Sequence, residues 1–115
     1  MTFDVEIVLR DRNYAVTEKL TQPGEPSQWT EREVETVLKE ILLAIDRVKN
    51  PNATDRHVAL RGFSWIVEPS DGGVVIAIEI PTGAAVAGPF PIAQENLDRL
   101  INSVLDSARP KPVIH

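Results

Sequence analysis

The sequence predicts an α+β two-layer sandwich, in which a mainly antiparallel sheet of about four strands carries two amphipathic helices on one face. Two observations predict this fold. Apolar and polar residues alternate in several short segments, and apolar residues recur at helical spacing in two longer ones, near 30–49 and 91–108. The predicted element order is β(β)αββα. We expect the 115 residues to form a single domain with one hydrophobic core.

The first predicted strand carries its large apolar residues on one face, at Phe3, Val5, Ile7 and Leu9. A turn signal at 11–13 and a second alternating segment at 14–20 allow a hairpin partner for this strand. The proline- and glycine-containing segment 22–27 then ends the hairpin.

The first helix has the strongest local signal in the chain. Thr30 and Glu33 have the spacing of a capping box, and Trp29 and Val34 have that of a hydrophobic staple. Apolar residues continue at helical spacing to Val48, after which 50–52 predicts the end of the helix. A helix that docks its apolar face on the sheet follows from this pattern.

A strand with an irregular alternation of apolar residues is predicted over 56–68. Its apolar residues change parity beside Arg61 and Gly62, as a β-bulge would require. Alternatively, residues 63–67 are apolar on both faces. A hairpin loop at 69–73 leads to a further strand over 74–80.

The segment 82–91 is rich in small residues, glycine and proline, and is interpreted as a loop or packed crossover. Pro91 suits the first turn of a second helix, which Pro110 ends, leaving an extended tail at 110–115. If Val113 and Ile114 add an edge strand and the early hairpin does not form, the order becomes βαββαβ, a ferredoxin-like alternative.

Composition excludes several functions. With 12 basic and 17 acidic residues, the net charge of −5 disfavours a nucleic-acid or anionic-membrane surface. No cysteine is present, and the two histidines have no metal-binding spacing, so we expect no metal and no cofactor. The first ten residues do not resemble a signal peptide, and we expect a cytoplasmic protein.

Chemistry at a site would depend on few residues. Asp55 and His57 are the weak candidates for an acid–base pair. A small-molecule pocket between the sheet and the 82–91 segment would use polar and glycine residues near it, namely Arg61, Glu79, Thr82, Gly83 and Gly88. The glycine spacing there lacks the lysine of a phosphate-binding loop. Surface carboxylates at Glu68, Asp71 and Glu79 are interpreted as solvated.

The sheet face that the helices leave uncovered is predicted to be unusually apolar. It would carry Val8, Ala59, Val75, Ala77 and one parity of 63–67. Such a face favours a partner, and we expect a homodimer with an interface at Phe63, Trp65, Val75 and Ala77. The alternative is a third layer, in which residues 11–28 fold across this face with Tyr14 and Trp29 as anchors.

The leading functional hypothesis is a small non-enzymatic protein-interaction module that self-associates. The alternative is a small-molecule-binding domain or modest acid–base enzyme with its pocket near 82–91. A third hypothesis, an inhibitor or immunity-type protein, depends on small size and acidity alone. The sequence does not identify a substrate or a natural partner.

Overall fold

The computed structural model describes residues 1–108 and confirms an α+β sandwich. Two strands precede the first helix, and three strands lie between the two helices. The strands are β1 (Thr2–Leu9), β2 (Ala15–Thr21), β3 (Ser64–Ser70), β4 (Gly73–Ile80) and β5 (Gly83–Phe90). The helices are α1 (Glu31–Lys49) and α2 (Gln94–Ala108), and a single 3-10 turn covers Pro26–Gln28.

All five strands form one antiparallel sheet in the order β2-β1-β5-β4-β3, which places the last strand in the middle. The two helices pack against each other, with α1 over β1, β2 and β5 and α2 over β3. The buried side chains of both helices and of one sheet face form a single core. The other face of the sheet has no helix of residues 1–108 against it, and we call it the open face.

Strand β1 shows how the sequence divides the sheet. Phe3, Val5, Ile7 and Leu9 are all buried, and the residues between them are exposed. Because successive side chains of a strand point to opposite faces, the alternation in the sequence sends one set into the core and the other to the open face. The predicted hairpin with β2 is confirmed, with Asp4 opposite Lys19.

Helix α1 begins and ends where the sequence predicts. The capping box is present, and the backbone N–H of Thr30 donates to Oε2 of Glu33 at 2.8 Å. Trp29 and Val34 are both buried in the core. Lys49 is the last helical residue, and the N–H of Asn50 donates to the carbonyl oxygen of Asp46 at 2.7 Å.

The predicted strand over 56–68 is wrong in its first half. Strand β3 begins at Ser64, and residues 50–63 form a long connection from α1. Val58 and Leu60 nevertheless pack half-buried against the core, so their strand-like pattern reflects burial without a strand partner. Gly62, with φ of +78°, makes a turn in this connection, where a bulge was expected.

The interpretation of 82–91 as a loop is also wrong, and it accounts for the fifth strand. Residues 83–90 form β5, which pairs with β1 on one side and β4 on the other. The register between β4 and β5 shifts between Val74 and Ile76, next to Gly88 and Pro89. Helix α2 begins at Gln94, so Pro91 precedes it and is not in its first turn.

Residues 11–28 do not form a third layer over the open face. Their strand, β2, extends the sheet at its edge, and Tyr14 is 56% exposed. Trp29 lies in the core on the helix side, with its ring centroid 5.3 Å from that of Phe90. The early hairpin on which the ferredoxin-like alternative depended is therefore real, and the tail at 110–115 with Val113 and Ile114 lies outside the described residues.

Candidate functional site: the open face of the sheet

The open face is built from alternate residues of all five strands. Three cross-strand rows can be followed through the register. In the strand order β2-β1-β5-β4-β3, the first row consists of Ala15, Val8, Ala84, Glu79 and Ser64. The second row consists of Thr17, Glu6, Val86, Ala77 and Ile66. The third row consists of Lys19, Asp4, Gly88, Val75 and Glu68. The middle of the face is therefore apolar, and its charges lie mostly toward the ends and edges.

Six neighbouring side chains form an apolar patch, which we define as Val8, Ile66, Val75, Ala77, Ala84 and Val86. Ile66 is 52% exposed, and Val8 and Val86 are each 43% exposed. A shallow depression of about 300 Å³ lies on the patch, between Ile66 and Val86. Exposed apolar side chains that touch across several strands favour contact with a partner over contact with water.

Charged side chains frame the apolar patch and are partly paired with each other. Nζ of Lys19 lies 3.0 Å from Oδ1 of Asp4, and Nη2 of Arg10 lies 3.8 Å from Oε1 of Glu79. The first pair joins the neighbouring strands β2 and β1, and the second reaches from the end of β1 across β5 to β4, at the opposite end of the face. They are well exposed, so each contributes little to the stability of the monomer.

The four residues predicted for the interface divide between two places. Val75 and Ala77 belong to the apolar patch on the open face. Trp65 lies opposite Ile78, so it faces the helices, and it packs half-buried against the core. Phe63 precedes β3 and packs there too. These two aromatic residues lie at the edge of the sheet and outside the apolar patch.

Sequence reasoning missed Ala84 and Val86, the members of the patch that β5 supplies. A strand made mostly of glycine, alanine and proline has little β-propensity of its own, so the segment did not indicate a strand. The signal that could have indicated this strand is an alternation along 84–87. Ala85 and Ala87 are buried, whereas Ala84 is half-exposed and Val86 is exposed.

The candidate acid–base pair lies away from the open face. Nε2 of His57 is 3.2 Å from Oδ1 of Asp55, but both side chains are at least 85% exposed in the 50–63 connection. Arg61 in the same connection is exposed as well. Two side chains in bulk water can hold each other but have no enclosed volume in which to position a substrate.

The candidate ligand-binding residues around 82–91 are part of the sheet framework. Thr82 lies in the tight turn before β5, and its carbonyl oxygen accepts a hydrogen bond from the N–H of Arg10 at 2.9 Å. Gly83 is buried so tightly that a Cβ there would lie 2.4 Å from the carbonyl oxygen of Val8. Gly88 lies opposite Asp4 in the ladder. These glycines allow close packing of strands.

Glu79 is the one candidate polar residue that borders the depression on the apolar patch. Glu68 is on the open face as well, while Asp71 is in the turn between β3 and β4. Among residues 1–108, no group of three or more histidine, aspartate or glutamate side chains is placed to hold a metal ion. Neither helix within this range is long and apolar enough to cross a membrane.

Within residues 1–108, lowered pKa values are found for the carboxyl groups of Glu33 and Asp46, which lie at the two ends of α1. The pKa of Glu33 is lowered, mainly by the hydroxyl of Thr30 and then by its backbone N–H. The pKa of Asp46 is lowered by the side-chain amide of Asn50, 3.0 Å away, and by Arg56, 2.7 Å away. Glu33 stabilises the start of α1, and Asp46 connects its end to the 50–63 connection through Asn50 and Arg56. Neither carboxyl group faces the apolar patch.

Comparison with protein-family models, with curated proteins and with solved structures finds no match for this chain.

Proposed function

We propose that this protein is a non-enzymatic interaction module that self-associates through the open face of its sheet. The observation that carries this proposal is the apolar patch, whose three most exposed members are 43–52% exposed although they belong to well-paired strands. An antiparallel sheet that meets water on one face normally presents polar side chains there. A second copy would cover the same patch on both protomers at once.

The size of the open face fits a stable dimer. Five strands of seven or eight residues make the sheet about 24 Å wide and about 27 Å long, or roughly 650 Å² on each protomer. Two such faces would remove about 1,300 Å² from water, within the range of about 1,200–2,000 Å² for specific complexes. The packing would be that of two aligned sheets about 10 Å apart.

The sheet edges are less suited to association than the open face. Strand β2 carries Glu18 and Lys19 at its edge, and charged residues there oppose the addition of another strand. In β3, Pro69 lacks an N–H, and the carbonyl oxygen of Val67 already accepts a hydrogen bond from Nε2 of Gln94 at 2.8 Å. These features favour face-to-face assembly over edge-to-edge pairing.

The alternative, a small-molecule-binding domain or acid–base enzyme, has less support from the geometry. Its residues lie on separate elements, with His57 and Arg61 in the 50–63 connection and Thr82 in the β4–β5 turn. The depression beside Glu79 has about 300 Å³, at the lower limit for a small-molecule site. A ligand retained there would nevertheless show itself in the experiment that tests the dimer.

Native mass spectrometry and sedimentation equilibrium test the proposal together. The wild-type protein is expected to be a dimer with no adduct. Ala77→Glu places a charge in the middle of the patch, so it should weaken the dimer by about 100-fold or more. Ala59→Glu is the matched control, since Ala59 is exposed in the 50–63 connection, and it should leave the dimer intact.

Two results would contradict this function. A wild-type monomer that carries a reproducible small-molecule mass would favour the binding-domain alternative. A dimer that survives Ala77→Glu would show that association uses another surface, with the edge near Phe63 and Trp65 as the next place to test.

A further inference from the structure

The strand order gives the open face a central line. Strand β5 is in the middle, β1 and β4 flank it, and β2 and β3 are outermost. A two-fold axis that runs along β5 between two facing sheets would place β2 of one protomer over β3 of the other. It would likewise place β1 over β4 of the other protomer. Val86, in the middle of β5, would then lie close to its own copy.

This arrangement brings opposite charges together at the edges. Lys19 and Glu68 lie in the same cross-strand row, two strands away from β5 on opposite sides. The axis along β5 therefore superimposes Lys19 of each protomer on Glu68 of the other. The same operation brings Arg10, at the end of β1, near Glu79 on β4 of the other protomer. Four pairs of opposite charge would surround the apolar patch.

The other aligned arrangement is less favourable. An axis through Val86 at right angles to the strands would lay each strand over its own copy. Glu6, in the same row as Val86, would then oppose Glu6 of the other protomer directly. With the axis along β5, Glu6 instead lies over Ala77, and like charges are kept apart.

The contact between Lys19 of one protomer and Glu68 of the other remains possible when the two packed sheets cross at an angle. Lys19 and Glu68 are each about 10 Å from the axis. A rotation of about 30° between the sheets would displace them by about 5 Å, a distance that two long side chains can span. Lys19 is held over the face by its contact with Asp4, 3.0 Å away. The carboxylate of Glu68 has no hydrogen bond or ion pair among residues 1–108, so it is free to receive a cation.

We propose that Lys19 and Glu68 are the specificity-determining residues of self-recognition, and that they orient the second copy with its two-fold axis along β5. This inference rests on the proposed function. It adds that the charge pairs select a second copy of this chain as the partner of the open face and fix the orientation in which that copy binds.

Charge reversal with rescue tests the orientation. The dissociation constant is measured at low salt by sedimentation equilibrium for Lys19→Glu, for Glu68→Lys and for the double variant. Each single change puts like charges at two symmetry-related contacts, so each should weaken the dimer on the order of tenfold. The double variant restores both pairs with their signs exchanged and should bind more tightly than either single variant, with a remaining loss because Lys19→Glu also removes the contact with Asp4.

The matched control is the exposed ion pair between Glu35 and Lys39 on α1, whose charged atoms are 3.4 Å apart. Glu35→Lys and Lys39→Glu make the same charge changes on the helix side and should not affect the dimer. Circular dichroism confirms that each variant is folded.

The outcomes separate the orientation from the function. A dimer that Ala77→Glu disrupts, but in which the reversals have no effect or the double variant binds no more tightly than the single ones, overturns the orientation and leaves the proposed function standing. A wild-type monomer at all concentrations overturns both.

Discussion

The two faces of the sheet are made by the same strands but have opposite character. On the helix side, Ile7, Ile76 and Ile78 are at most 1% exposed and belong to one cluster of buried apolar residues. On the open face, Val8, Ile66 and Val86 are 43–52% exposed and have charged residues beside them. The helix-side face forms part of the core. The open face has an apolar centre with a charged border, which are features of an interface.

Burial of side chains and pairing of backbones are separate properties of a strand in this sheet. All five strands pair with one another inside a single chain, so the hydrogen bonding of the sheet does not require a second copy. The three most exposed apolar side chains of the open face, Val8, Ile66 and Val86, therefore lie outside the hydrophobic core of the monomer.

The largest contrast is expected between two isoleucine truncations. Ile76→Ala on β4 removes a fully buried side chain and should lower the free energy of unfolding by roughly 2–5 kcal/mol, because a cavity is left in the core. Ile66→Ala on β3 removes a side chain that is 52% exposed and should cost less than about 1 kcal/mol. Urea denaturation of dilute protein measures both, with unchanged m-values as a check. Equal losses would show that the open face is part of the folding core.

The sequence predicts those parts of the two faces that depend on contacts between residues close together in the chain. Helix α1 and its capping box were predicted correctly because the Thr30–Glu33 contact is local. Strand β1 was predicted because its alternation lies within eight residues. Strand β5 was missed because its pairing with β1 joins residues far apart in the sequence, such as Asp4 and Gly88, and its glycine and alanine residues show no local preference for a strand.

The same limit applies to the open face. Val75 and Ala77 could be assigned to the face from the alternation of β4 alone. Trp65 could not, since the parity of 63–67 is ambiguous until its pairing with Ile78 is known. The relation between Lys19 and Glu68 requires the complete strand order, which hydrophobic periodicity does not contain.

An intermediate effect is expected at the centre of the apolar patch. Val86→Thr keeps the shape and the β-branch of valine, so unfolding of the monomer should change by less than about 0.5 kcal/mol. The added hydroxyl should weaken the dimer by about 1–2 kcal/mol, because both protomers carry it. Sedimentation equilibrium at low and high salt measures this loss.

Salt dependence distinguishes this variant from the charge reversals. The loss caused by Val86→Thr should be nearly the same at both salt concentrations, since no charge changes. The losses caused by Lys19→Glu and Glu68→Lys should shrink at high salt. A strong salt dependence for Val86→Thr would indicate that electrostatic contacts, and not the apolar patch, hold the copies together.

The smallest expected effect lies on the covered side, at the end of α1. Asp46 is held by Asn50 and Arg56, which lower its pKa, so its contacts stabilise the folded state when the carboxyl is ionised. A lowered folded pKa means that this contribution is present above the ordinary carboxyl pKa of about 3.9 and is lost as the pH falls through the folded value. Asp46→Asn should therefore melt a few degrees lower than wild type at pH 7 and should match it near pH 2. Thermal unfolding followed by circular dichroism measures the difference, and a gap that persisted at low pH would mean that the ionised carboxyl is not what connects the 50–63 segment to α1.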